Sequence, residues 1–127
     1  MRGPALILAV CLLGSACNPR EEGNTTVESS GLPLLVALGS ASCVPCRMMQ
    51  PELDKLRNMT EGYLNVVFID VNHDRSAASR YRIRLIPTQV FYSPEGTELA
   101  RHEGYFDAEG MLGVYQEKGF LRDVGGN

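Results

Sequence analysis

The chain has no tryptophan, only four cysteines in 127 residues, and no excess of positive charge, its formal net charge being −3. No basic run interleaved with aromatics occurs anywhere, which excludes a nucleic-acid-binding surface of the usual electrostatic kind. Long hydrophobic runs are also missing. The longest, Ala5 to Leu13, falls well short of the ~20 residues that a spanning helix needs. The four cysteines do not make a disulfide framework: Cys11 lies inside that apolar run, Cys17 follows it, and only Cys43 and Cys46 remain for the body of the chain. There are no internal repeats, and the length suits one domain with a single source of core residues.

What is present begins with a targeting pattern. Met1-Arg2 is a minimal positive start, Ala5 to Leu13 is a short apolar stretch, and Gly14-Ser15-Ala16 are small residues of the kind that precede a cleavage site. Residues 1–16 are therefore expected to be a signal peptide. Leu13-Gly14-Ser15-Ala16-Cys17 resembles the lipobox of bacterial lipoproteins, although Leu13 stands one place early. That resemblance implies a lipid on Cys17 and an exported protein, a bacterial membrane lipoprotein facing the periplasm or the cell exterior. Residues 17–31 are polar and turn-rich and read as a tether, so the domain would contact the membrane surface only through its anchor.

The domain is expected over 32–122, with 123–127 a frayed tail. Leu34 to Leu38 is a short apolar run that reads as a core strand. Arg47 to Met59 carries helical periodicity through Met48, Met49, Leu53 and Leu56. Val66 to Val71 is almost continuously apolar, as expected of a central parallel strand covered on both faces. Asp74 caps a short helix over Arg75 to Tyr81. Thr88 to Tyr92 is rich in β-formers, and Ser93-Pro94-Glu95-Gly96 turns it into an antiparallel return over Thr97 to His102. Asp107 caps a last helix to about Lys118. The order β-α-β-α-β-β-α makes an α/β fold, a mixed central sheet flanked by helices.

Cys43-Val44-Pro45-Cys46 sits where the first strand hands over to the first helix. The unpaired N–H groups and positive dipole end of that helix stabilise a thiolate on Cys43, and Cys46 is close enough to resolve a mixed disulfide.

At this point the sequence resembles the thioredoxin superfamily over nearly all of residues 32–120. Cys43-Val44-Pro45-Cys46-Arg47 is similar to the family's redox motif, Pro51 stands where the family has its helix proline, Ile86-Pro87-Thr88 is similar to its cis-proline loop, and Gly104 precedes the last helix. The resemblance implies a thioredoxin-like fold whose N-terminal βα unit is reduced or absent. It also implies a thiol-disulfide oxidoreductase that needs no cofactor beyond its own redox-active Cys43–Cys46 disulfide and no metal. Cys43 would be the attacking nucleophile and Cys46 the resolving thiol. Val44 and Pro45 would support the active site, and Ile86 and Pro87, cis at its peptide bond, would receive a substrate strand. Ile86 before the proline and Val-Pro between the cysteines look like the reducing members of the family, and the dipeptide is similar to that of membrane-tethered thiol-disulfide reductases. Partners would then be protein dithiols or disulfides and an upstream membrane thiol donor, the protein acting as a monomer.

Three positions depart from the family pattern. Ser42 stands in place of the tryptophan before the first cysteine, Ala37 in place of a buried acid, and Phe68 in place of the lysine that partners it. Proton removal from Cys46 would then need water or another nearby group. A different class stays open: a copper carrier or binding module using Cys43 and Cys46 with His73 or His102, since thiolates and imidazole suit Cu(I).

Overall fold

The computed structural model describes residues 30–125. The signal peptide, Cys17 and all of the tether before residue 30 lie outside the described residues, as do the last two residues of the tail. Seven elements follow in the order β1 (Leu34–Gly39), α1 (Val44–Met59), β2 (Asn65–Asp70), α2 (Ala77–Arg80), β3 (Thr88–Tyr92), β4 (Glu98–Glu103) and α3 (Ala108–Glu117).

The strands form one sheet in the order β2-β1-β3-β4. β1 runs parallel to β2, with Ala37 beside Phe68 and Gly39 beside Asp70. It runs antiparallel to β3, with Ala37 opposite Gln89, and β3 pairs antiparallel with β4 through a bulge at Phe91/Tyr92. The mixed α/β sheet expected from the sequence is therefore present.

One expectation is corrected. β2 is not a central strand covered on both faces: it is an edge strand among the described residues, and every one of its residues is only half-buried. The central places belong to β1 and β3, which are almost wholly buried. An apolar run does not report lateral position: Val66 and Phe68 pack against the core on one face and Ile69 against that on the other, yet each stays only half-buried. On one face Leu35, Ala37 and Phe91 pack with Met49, Leu53 and Leu56 of α1 and Met111, Leu112 and Tyr115 of α3. On the other Val36, Leu38 and Val90 pack with Ala77 of α2. Burying each large side chain of these layers stabilises the fold by about 1.5–3 kcal/mol.

α1 begins at Val44, so the cysteine pair sits at the helix's first turn as expected: Cys43 is the N-cap, with extended backbone (φ −89°, ψ 122°) and its Sγ facing the N–H of Cys46 at 3.4 Å. Pro45 fits in this first turn because its missing N–H would have no helical partner there. α2 is only four residues long: Asp74 spends its carboxylate on the N–H and Oγ of Ser76 and on Arg80, which holds a tight turn ahead of Ala77. At the other end, Val124 folds back into the core where fraying was expected, and Gln116 Nε2 donates 3.0 Å to its carbonyl.

Candidate active site

The sheet delivers three segments to one end: the β1–α1 turn, the β2–α2 turn and the loop before β3. Cys43 and Cys46 are joined by a disulfide, their Cα atoms 5.2 Å apart. The two are unequal. Cys43 is partly exposed at the helix start, whereas Cys46 points inward and is 1 % exposed. Val44 and Pro45 lie exposed between them.

The pre-β3 loop closes on the same point. The Ile86–Pro87 peptide bond is cis, as the family resemblance implies, and the Ile86 carbonyl oxygen lies 4.0 Å from Cys43 Sγ. Pro87 is buried and Ile86 half-buried, with Leu85 beside them 45 % exposed. A carbonyl at this distance from the outer sulfur, next to apolar side chains left in solvent, can pair with an extended substrate.

A polar bracket that sequence reading missed fixes the turn before Cys43. Asp70 accepts from the N–H of Asn72 (2.8 Å) and, across the turn, from the N–H of Ala41 (3.2 Å). Asn72 Nδ2 donates 2.6 Å to Ser40 Oγ, which also bonds Ser42 Oγ at 2.8 Å. The Asn72 N–H holds the Asp70 carboxyl below its ordinary value of 3.8; the Ala41 N–H and the nearby His73 act in the same direction, against a smaller opposing effect of burial. The only sequence signal for this bracket was the polar composition of the two turns.

The residues behind Cys46 are apolar or absent. A Cβ on Gly39 would stand 3.2 Å from both Cβ and Sγ of Cys46 and 3.0 Å from the Phe68 ring, so a larger residue there would press on the disulfide and the ring. Ala37, two residues earlier on the same face, adds one methyl carbon. Neither Ala37 nor Phe68 supplies an ionisable group. A second missed residue, Gln89, is fully buried on β3 opposite Ala37.

The histidines are engaged elsewhere. His73 is 88 % exposed and lies 3.6 Å from Asp70, while His102 stacks on Phe106 at 4.1 Å and bonds the Tyr105 carbonyl. Among the described residues no three His, Cys, Asp or Glu side chains gather as metal ligands. Nothing in this arrangement favours the copper-carrier reading.

Comparison with known proteins agrees with the geometry. The sequence profile of a thioredoxin-like domain family matches residues 21–118. A thioredoxin of Synechocystis sp. is 38 % identical over 66 residues, which cover 52 % of this chain and 62 % of that protein. A thioredoxin-like protein of the same organism is 31 % identical over 86 residues, covering 68 % of this chain and 81 % of its own length. The structure of chloroplastic thioredoxin z superposes with a TM-score of 0.65 at 26 % identity, over 72 % of this chain and 82 % of that one. The chain thus spans 62 % of the length of the cyanobacterial thioredoxin it matches. With the fold, the cysteine pair at the start of α1 and the cis-proline loop all in place, the chain belongs to the thioredoxin-like domain family.

Proposed function

We propose that the protein is an extracytoplasmic thiol-disulfide oxidoreductase that works through Cys43 and Cys46 in the reducing direction. The observation that carries this reading is the asymmetry of the pair: one sulfur reachable at a helix start, the other buried behind it, both in one disulfide. In the reduced protein the Cys43 thiolate attacks a substrate disulfide, forming a mixed disulfide and releasing one substrate thiolate. Cys46 then loses its proton and attacks Cys43 Sγ, releasing the second substrate thiolate and forming the Cys43–Cys46 bond. A dithiol donor restores the reduced pair by the reverse exchange. The helix N-terminus supports the Cys43 thiolate, and Val44, Leu85 and Ile86 offer the apolar surface on which a protein substrate would rest.

Export, acylation of Cys17 and action at a membrane surface complete the proposal, and they rest on the sequence pattern of residues 1–17. Insulin reduction tests the chemistry: the parent chain should reduce insulin with a dithiol donor, and Cys43→Ser should abolish this. Activity surviving in Cys43→Ser refutes the reading. Intact mass of the protein extracted from bacterial membranes tests the anchor, which predicts a chain beginning at Cys17 with added acyl groups.

A further inference from the structure

Gln89 carries the one buried side-chain polar atom without a partner among the described residues, its carbonyl Oε1. The amide is otherwise oriented. Nε2 donates 3.1 Å to the Gly104 carbonyl and approaches Met49 Sδ at 3.8 Å. Gly104 in turn donates its N–H to the Pro87 carbonyl, so the carboxamide leans toward the end of the sheet that carries the dithiol. Gln89 lies opposite Ala37 and diagonal to Gly39, the residue in contact with Cys46, and diagonal neighbours in a sheet stand within reach of a long side chain. Met49, which caps the amide from above, follows Cys46 by three residues on the buried face of α1. On β1 the residue opposite Gln89, Ala37, contributes one methyl carbon and the diagonal Gly39 no side chain.

In the disulfide state Cys46 has no S–H. Reduction breaks the sulfur–sulfur bond and adds two electrons and two protons, drawn from a partner dithiol that becomes a disulfide. The new Cys46 thiol is then a buried donor in apolar surroundings, on the same face of the sheet as a buried acceptor that had no partner. We propose that Gln89 is a positioning residue for Cys46: its Oε1 accepts a hydrogen bond from the Cys46 thiol, directly or across one water, in the dithiol state only. This deepens the thiol-exchange reading and rests on it. The contact favours the reduced form, while the unpaired carbonyl disfavours the oxidised one, so both effects raise the reduction potential.

The test is the equilibrium of the full-length chain, with Cys11→Ser and Cys17→Ser, against glutathione. Gln89→Leu should lower the potential by about 20 mV, a roughly fivefold change in the exchange constant at about 29.6 mV per decade. Gln89→Met, unbranched and of similar length, should do the same if leucine disturbs folding. The S–H stretch of Cys46 in reduced Cys43→Ser protein should shift to higher frequency when Gln89 is replaced. A folded Gln89 variant with unchanged potential and unchanged stretch overturns the proposal while leaving the exchange reading intact. A parent chain that exchanges with no disulfide at all refutes the exchange reading instead.

Discussion

At the level of single residues, the dithiol is shaped as much by what is small around it as by its own chemistry. Gly39 is not in the left-handed region; a methyl there would press on Phe68 and Cys46. Gly39→Ala should therefore destabilise the fold by about 1–3 kcal/mol through overpacking, visible as a lower urea midpoint. Asp70 makes a pH-dependent contribution. Its carboxyl titrates below the ordinary 3.8 in the folded state, so the stability it confers is complete above that value and is lost as pH falls through the lower, folded one. Asp70→Asn should flatten the acid limb of a stability-against-pH curve below about pH 4 and leave the neutral-to-alkaline slope unchanged. Cys43 and Cys46 stand out in the sequence by their spacing at a strand–helix junction, whereas Val44, Pro45, Ile86 and Pro87 were expected at the site from the family resemblance. Gln89 and Asp70 were not. A polar residue inside a strand of β-formers gives no sign of which side chains it will meet, and the Ala41–Asp70 contact joins positions 29 residues apart.

Among elements, the helix termini explain which boundaries could be read. Asp107 was recognisable as a cap and is one, its carboxylate accepting 2.7 Å from the Gly110 N–H. Glu52 of α1 adds a second acceptor for the same helix start, 2.9 Å from the Ala108 N–H, which joins α1 to α3. Asp107→Ala should cost about 1 kcal/mol in chemical denaturation. The start of α1 was legible at the cysteine pair, although sulfur is an unusual acceptor for a cap and the Cys43 Sγ contact to the Cys46 N–H was not foreseen. Tyr115 ties α3 to the sheet by donating 2.8 Å to the Leu34 carbonyl, and burial pushes its phenol well above the ordinary range. Tyr115→Phe keeps the packing and should lose about 1 kcal/mol, the net worth of one hydrogen bond.

For the whole molecule, strand identity and helix placement followed from hydrophobic period, but strand order did not. The apolar run of β2 could not reveal that its outer edge is unpaired among the described residues, because an edge strand that packs on both cores also needs apolar side chains, although here they stay half-buried. The architecture nonetheless accounts for the location of the site: three chain turns converge at one end of β1, β2 and β3, where one helix start and one carbonyl meet the dithiol. The central claim is the division of labour between the two sulfurs, and it has a direct measurement. Reduced full-length protein carrying Cys11→Ser and Cys17→Ser is mixed with glutathione disulfide and followed by intact mass and peptide mapping. With Cys46→Ser added, one glutathione should attach at Cys43 and remain. With Cys43→Ser added instead, attachment at Cys46 should be at least about tenfold slower, because that sulfur is buried. Equal rates at the two cysteines, or an adduct that forms first on Cys46, would contradict the account.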